Sequence, residues 1–112
     1  MSAQLPDPSL TRVYRLEATV GEPLDLGDIR YTLRTDHGIL LYVQSRGVRH
    51  GSADVLARPA RGEDVDATEY TFRTSTTIET AAPALEWLNK GVFVSVGARQ
   101  RGGVVYETYL VG

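Results

Sequence analysis

Hydrophobic and polar residues alternate with a period of two along most of this chain. In RVYRLEATV (12–20) every second residue from Tyr14 is apolar, and in IRYTLRTD (29–36) the apolar residues Ile29, Tyr31 and Leu33 alternate with polar ones. Such alternation is typical of a half-buried β-strand. ILLYVQS (39–45) is apolar on both faces, and the short DHG link before it predicts a hairpin.

The second half of the chain continues the pattern. YTFRTSTTIET (70–80) is rich in threonine and aromatic residues and is predicted to form a strand. VFVSVGARQ (92–100) and GVVYETYLV (103–111) are separated by a glycine-containing link and predict a second hairpin. ADVLARP (53–59) predicts a further short strand, and ARGEDVDATE (60–69) predicts a charged loop.

One segment departs from the strand pattern. AAPALEWLNKG (81–91) predicts a short helix, because Pro83 suits the first helical position while Asn89 and Gly91 suit its end. The chain is therefore predicted to be all-β, with six to seven antiparallel strands and one short helix. A barrel is favoured because closure removes exposed strand edges.

Length and composition narrow the classes of function. The 112 residues predict one barrel domain over 12–112, after a flexible arm over 1–11 that contains Pro6 and Pro8. The net charge of −2 argues against nucleic acid, and no apolar run is long enough to predict a membrane span. We find no signal peptide and expect a cytoplasmic protein. With no cysteine, neither a thiolate metal site nor a disulfide is predicted, and no cofactor is expected.

Arginine supplies all but one of the basic residues, the exception being Lys90. Two interpretations stay open. The bias reflects a GC-rich genome, or several guanidinium groups bind carboxylates or stack on aromatic rings as lysine could not.

Charged residues on two predicted strands form the candidate active site. Arg30 and Arg34 share one strand face, and Arg73 and Glu79 share another, which Glu69 precedes. If these faces turned into a barrel, guanidinium groups could hold a carboxylate or enolate while Glu79 acted as a general acid or base. Arg73 and Glu79 are therefore the predicted catalytic residues.

The opposite interpretation is that the charged faces point to solvent, because small barrels normally turn their apolar face inward. The two interpretations are separable. An interior lined by Tyr70, Phe72 and Ile78, with Arg73 and Glu79 in solvent, would refute the polar-pocket hypothesis.

Six residues are predicted to bind substrate, and two of them, Trp87 and Asn89, have competing structural roles. Trp87 could plug the core or stack on a ligand, and Asn89 could end the helix or contact the ligand. Tyr106 lies on the strand face opposite Glu107. The full predicted substrate-binding set is Arg30, Arg34, Glu69, Trp87, Asn89 and Tyr106; no metal ligand is predicted.

Several stretches resemble one bacterial and fungal family, named domain of unknown function 3237. The most specific are the R-Y-x-x-R-T-D-x-G run and the F-R-T…E-T…W-L-N block. The stretches concerned are LEATVGEPLDLG (16–27), DIRYTLRTDHG (28–38), GVRHG (47–51), residues 69–99 and VVYETYLV (104–111). The resemblance implies a calycin-like antiparallel β-barrel that self-associates, and it implies no established reaction.

The chain departs from the family pattern at one point. Family members usually carry a further segment with additional strands between the G-E-P-L-D-L-G and D-x-R-Y stretches, whereas here Gly27 abuts Asp28. A smaller barrel could close, a second copy could supply the missing wall, or the pocket could be open and its function lost or changed. We favour a homodimer, because an unpaired strand edge readily pairs with a second copy.

Three functional interpretations follow. The first is a barrel that binds a small molecule, either without catalysis or as a lyase or isomerase acting on an oxygenated organic anion or aromatic. The alternative is a non-catalytic interaction or scaffold protein that dimerises. The third is a shortened family member that retains no activity.

Overall fold

Six antiparallel strands form one sheet in a computed structural model that describes residues 3–19, 28–100 and 102–112. Along the sheet the strands follow the order β1-β6-β5-β4-β3-β2. The predicted all-β antiparallel architecture is confirmed. The strands are β1 (Leu10–Thr19), β2 (Asp28–Arg34), β3 (Leu40–His50), β4 (Thr71–Glu79), β5 (Phe93–Gln100) and β6 (Gly103–Val111).

The sheet curls into a half-barrel. β1 and β2 stand at opposite ends of the strand order, yet Tyr14 Oη and Tyr31 Oη come within 3.1 Å of each other. Right-handed twist accumulated over the intervening strands brings the two edges together in this way. Among the described residues, β1 pairs only with β6 and β2 only with β3, so the wall is open between them.

The predicted alternation appears directly in the burial of β4. Phe72, Thr74, Thr76 and Ile78 are buried, whereas the residues between them are exposed. Side chains two apart on a strand point to the same face, so the concave face of the sheet carries the first set. The apolar face therefore turns inward.

Two apolar clusters fill the two ends of the concave face. The Phe72 cluster lies at one end, and Val55, Leu56 and Val65 from the connection between β3 and β4 pack against it. The Phe93 cluster lies at the other end, beneath Leu88. The buried members are Tyr70, Phe72, Val104 and Tyr106 in the first cluster, and Leu41, Val43, Ile78, Leu88 and Phe93 in the second.

The predicted strand over 53–59 is wrong. Ala53–Ala57 is a short helix, α1, because Ser52 caps it: its Oγ accepts a hydrogen bond from the Val55 amide at 3.2 Å. An ion pair between Arg58 and Asp54, four residues apart, favours the same turn. The predicted charged loop that follows contains 3-10 turns at Pro59–Arg61 and Ala67–Glu69.

The predicted helix over 81–91 is present as 3-10 turns at Pro83–Lys90, interrupted at Leu85. Pro83 begins the segment, as expected, and Gly91 follows its end. No helix in the described part of the chain has the length and apolar character required to cross a bilayer.

The first predicted strand is confirmed with a different start, because β1 begins at Leu10 and Ser9 already exchanges backbone hydrogen bonds with Gly112. Val20, the last residue of that predicted strand, lies outside the described residues.

Two adjacent residues at the start of β5 allow a test of which face of the sheet points inward. Phe93 is fully buried, whereas Val92 is 64% exposed. We expect Phe93→Ala to lower the free energy of unfolding by about 3–5 kcal/mol, because it leaves a cavity in the Phe93 cluster. Val92→Ala is the matched control and should change it by less than about 0.5 kcal/mol. Urea denaturation of both variants measures the difference, and equal losses would contradict the assigned faces.

Candidate ligand-binding interior

A row of hydroxyl groups crosses the concave face between the two apolar clusters. Ser45 Oγ lies 2.9 Å from Thr76 Oγ1, which lies 3.1 Å from Ser95 Oγ. Ser95 Oγ in turn lies 2.8 Å from Thr108 Oγ1, and Thr74 Oγ1 lies 3.1 Å from Thr76 Oγ1. All five side chains are buried. The row therefore links β3, β4, β5 and β6 through side chains alone.

The strand register produces this row. Ser45 pairs with Thr76, Thr74 with Ser95, and Ser95 with Thr108 across neighbouring strands. Directly opposed residues have Cβ atoms about 4.5–5.5 Å apart, which suits hydrogen bonds between short hydroxyl side chains. Each hydroxyl thus finds a partner without water, and this offsets the cost of burying it.

Tyr14, Tyr31 and Tyr106 also bring phenol groups to this face. The Tyr14 and Tyr31 hydroxyls bond to each other across the open side of the half-barrel. Tyr106 is 4% exposed, and its Oη has no hydrogen-bond partner among the described residues. Its ring packs edge-on against Phe72, with centroids 5.5 Å apart. Gly97 makes room for it, because a Cβ there would lie 3.0 Å from the Tyr106 ring.

The environment keeps the phenols of Tyr106 and Tyr31 protonated. Burial raises the pKa of Tyr106 to about 12. Burial also raises the pKa of Tyr31, and the hydrogen bond with Tyr14 raises it further. Both groups therefore remain neutral at physiological pH, and each can donate a hydrogen bond.

A cleft of about 440 Å³ lies at the opening between β1 and β2. Tyr14 and Leu16 line it from β1, and Leu33 and Arg34 line it from β2. Asp36 completes the polar part of its rim. The cleft is open to solvent and is bordered by Tyr14, so it gives access to the edge of the concave face.

The inward orientation predicted for Arg73 and Glu79 is wrong. Both are exposed, whereas Tyr70, Phe72 and Ile78 are buried, which is the arrangement stated above to refute the polar pocket. Six positions along one strand separate the two charged residues by roughly 20 Å at ~3.3 Å per residue. They cannot contact the same small molecule.

The other predicted charged residues also lie outside the interior. Arg30, Arg34 and Glu69 are exposed, and Arg34 alone borders the cleft between β1 and β2. Solvation explains this, because burying an unpaired charge costs far more than burying an apolar side chain returns. The structure does not bring these three residues together into one pocket.

The remaining three predicted substrate-binding residues lie in different parts of the structure. Trp87 is 46% exposed with its ring 6.5 Å from that of Phe93, so Leu88 rather than Trp87 enters the core. Asn89 makes two hydrogen bonds to the backbone of Thr80. Asn89 Oδ1 accepts one from the Thr80 amide N–H at 2.7 Å, and Asn89 Nδ2 donates one to the Thr80 carbonyl oxygen at 2.9 Å. Only Tyr106 lies inside the half-barrel.

A second, open groove of about 720 Å³ lies on the outer face, where Glu79 and Asn89 meet Thr32 and Tyr42. Since the Asn89 amide is already bonded to Thr80, Glu79 is the charged group that this groove offers a ligand.

Ion pairs characterise the rest of the outer face. Arg15 donates to Glu107 at 2.6 Å, and Tyr109 donates to the same carboxylate at 2.9 Å. The hydrogen bond from Tyr109 and then that from Arg15 lower the pKa of Glu107. This surface is solvated, and the described residues include no group of three or more His, Asp or Glu suited to hold a metal ion.

The comparisons with known proteins place this half-barrel in a family. The sequence profile described as "Protein of unknown function (DUF3237)" matches residues 26–111. The chain belongs to this family. The resemblance inferred from the sequence is thereby confirmed.

Among curated relatives, the UPF0311 protein RPA1785 of Rhodopseudomonas palustris is 36% identical over 84 residues, which are 75% of this chain and 55% of the relative. A UPF0311 protein of Bradyrhizobium diazoefficiens is 34% identical over 90 residues, which are 80% of this chain and 59% of the relative. The chain thus spans little more than half the length of the curated relatives it matches.

Solved structures agree on the fold. The crystal structure of RPA1785 has a TM-score of 0.72 at 35% identity, covering 76% of this chain and 57% of that chain. A beta-barrel like protein from Acinetobacter baumannii AYE has a TM-score of 0.77 at 26% identity, covering 99% of this chain and 100% of that one. A solved member of the fold therefore has the same extent as this chain.

The sequence reasoning missed the hydroxyl row. Its members occupy inward positions of strands that are otherwise apolar on that face. Hydroxyl residues at such positions are a sequence signal from which the row could be predicted. Threonine was assigned to strands by propensity, while charge directed attention to the outer face. The residues missed are Tyr14, Tyr31, Ser45, Thr74, Thr76, Ser95 and Thr108.

Two neighbouring threonines test the row. Thr76 is 2% exposed and contacts three hydroxyl groups, whereas Thr77 is exposed on the opposite face. We expect Thr76→Val to lower the free energy of unfolding by about 1–3 kcal/mol, because it leaves buried hydroxyls short of a partner. Thr77→Val, the matched control, should be close to neutral. Chemical denaturation decides, and a neutral Thr76→Val would mean that the row contributes nothing to stability.

Proposed function

We propose that this protein binds a small organic molecule on the concave face of the half-barrel. The observation that carries the proposal is the buried Tyr106 hydroxyl, which has no partner among the described residues. A buried polar group without a hydrogen bond is costly, and binding sites are where such groups recur. A ligand oxygen beside Tyr106 would relieve that cost.

The surroundings support the same function. Apolar side chains from both clusters would bury a ligand's hydrocarbon, while a few hydroxyls would orient it, which is the usual composition of small-molecule pockets. The cleft of about 440 Å³ between β1 and β2 supplies a route to the concave face. An oxygenated aromatic matches both features.

Binding, rather than a lyase or isomerase reaction, is the function we propose. Acid–base catalysis works best with a group whose pKa lies near the operating pH. Tyr106 and Tyr31 titrate well above neutral pH, and Arg73 and Glu79 point away from the interior. The lyase or isomerase activity stays a prediction from the sequence.

Two bulky substitutions on β2 separate interior from exterior binding. A panel of neutral and anionic aromatic compounds is screened by thermal shift, and a hit present at a hundredfold excess over Kd should stabilise the protein by ~2.7 kcal/mol. Leu33 lines the cleft, so we expect Leu33→Trp to abolish that gain. Thr32→Trp, on the opposite face, and Arg73→Ala should retain it.

The outcomes are distinct. Loss of the gain in Thr32→Trp or Arg73→Ala, with Leu33→Trp unaffected, would assign binding to the outer face and reject the interior. The absence of any stabilising compound in the panel would reject the binding function.

The open strand edges favour a second candidate function, a homodimer. Among the described residues β1 and β2 each have one partner strand, which leaves a row of backbone groups on each available for pairing. The radius of gyration is 16.0 Å, compared with ~13 Å for a compact domain of this length. β1 of one copy beside β2 of another would close both half-barrels.

Sedimentation tests the dimer at micromolar concentrations, and we expect twice the mass of one chain. Hydrogen exchange locates the interface: amides of β1 and β2 should gain protection as concentration rises. Those of β4, which is paired on both sides by β3 and β5, are the internal control and should not change. A monomer with concentration-independent exchange would contradict the dimer.

A further inference from the structure

Two opposite charges border the cleft between β1 and β2 without pairing with each other. Arg34 ends β2 and Asp36 follows two residues later; both side chains are exposed, and both line the cleft. The ion pairs formed among the described residues include neither of them. Within the described part of the chain, both charges are therefore available to a ligand.

The third charged residue that borders the cleft is already engaged. Arg15 donates a hydrogen bond to Glu107 at 2.6 Å and another to Glu17 at 3.2 Å. These two carboxylates compensate the charge of its guanidinium group. The cleft therefore presents one guanidinium and one carboxylate to an incoming molecule.

The turn after β2 fixes the backbone between the two charges. The Thr35 amide donates to the Ile39 carbonyl oxygen at 2.8 Å, and the Gly38 amide donates to the Thr35 carbonyl oxygen at 2.9 Å. Thr35 Oγ1 accepts a third hydrogen bond, from the Ile39 amide at 3.1 Å. Because Thr35 lies between Arg34 and Asp36, the spacing of their backbones is set before a ligand arrives. Such preorganisation lowers the entropic cost of binding.

Leucine side chains supply the apolar part of the lining. Leu33 and Leu41 belong to the Phe93 cluster, and Leu16 packs against the Phe72 cluster. The volume of about 440 Å³ lies within the range of ~300–1,000 Å³ that is common for small-molecule sites. A ligand held between the two charges could thus bury a hydrocarbon group against these leucines.

The two charges together select against ligands that carry a single charge. A carboxylate would be attracted to Arg34, which can bind it through two parallel hydrogen bonds, but it would be repelled by Asp36. An ammonium group would meet the reverse situation. A zwitterion satisfies both residues at once, and like charges in contact are what opposes the wrong ligand.

We propose that the cleft between β1 and β2 binds a free apolar α-amino acid. Its carboxylate pairs with Arg34, its ammonium group pairs with Asp36, and its side chain packs on the leucines. This inference rests on the proposed binding function and adds the chemical class of the ligand and the two residues that recognise it. Arg34 and Asp36 are binding residues here, and no covalent step is involved.

Three probes with one carbon skeleton separate the two charges. L-phenylalanine carries both, hydrocinnamate lacks the ammonium group, and phenethylamine lacks the carboxylate. We expect L-phenylalanine to bind most tightly in titrations followed by protein NMR at neutral pH, with amide shifts at Leu33 and Leu41. Each of the other two probes should bind about fivefold more weakly, which is the upper end for one exposed ion pair.

Substitutions of the two charged residues assign each contact. Arg34→Gln should raise the Kd of L-phenylalanine and hydrocinnamate about fivefold and leave that of phenethylamine unchanged. Asp36→Asn should weaken L-phenylalanine and phenethylamine similarly and leave hydrocinnamate no weaker. Arg30→Gln is the matched control, because Arg30 is exposed on the same face of β2 but does not line the cleft. It should change none of the three Kd values, and all three variants should keep the thermal midpoint of the parent.

The outcomes that overturn the proposal are distinct. Hydrocinnamate binding as tightly as L-phenylalanine would reject the zwitterion and leave binding in the cleft intact. Equal effects of Arg30→Gln and Arg34→Gln would show that the overall charge, and not the cleft, attracts the ligand. Binding of none of the three probes would reject the amino acid, whereas the proposed binding function would fail only if the thermal-shift panel also gave no stabilising compound.

Discussion

Hydroxyl groups buried between two apolar clusters must bond to one another, and this constraint fixes the alignment of four strands. Ser45, Thr76, Ser95 and Thr108 meet because their strands are in register. A slip of one residue would turn every apolar side chain of a strand to solvent. It would also separate the hydroxyls from their partners. The hydrogen bonds of the row therefore stabilise the same register that hydrophobic alternation already favours.

The same constraint explains why function is argued from the interior and not from the charged surface. Once the row and the two clusters occupy the concave face, Arg73 and Glu79 must face solvent, because neighbours on a strand alternate. The cleft between β1 and β2 then remains as the opening to the concave face. Tyr106 lies within that face and, among the described residues, its hydroxyl is unpaired.

Alternation along the sequence was sufficient to predict the strands, since a period of two is a local property. A barrel was favoured because closure removes exposed strand edges, and the family resemblance implied the same fold. The short helix over 53–57 was missed because its signals, the Ser52 cap and the Asp54–Arg58 pair, compete with a Val-containing run that resembles a strand. The faces were harder to assign. Threonine suits either face of a strand, so the sequence of residues 70–80 is compatible with a polar or an apolar interior. Only the packing of the folded sheet distinguishes the two.

The contact between Tyr14 and Tyr31 lay beyond local reasoning, because it depends on the curl of the whole sheet. That contact joins two strands that share no backbone hydrogen bonds among the described residues. One side-chain bond between partly buried phenols is worth about 0.5–1.5 kcal/mol, far less than a ladder of paired backbone groups. The open side is therefore the least firmly held part of the described wall, and a ligand or a second chain would meet the least resistance there. The matched curated relatives are longer than this chain, whereas the beta-barrel like protein from Acinetobacter baumannii AYE matches it over its full length.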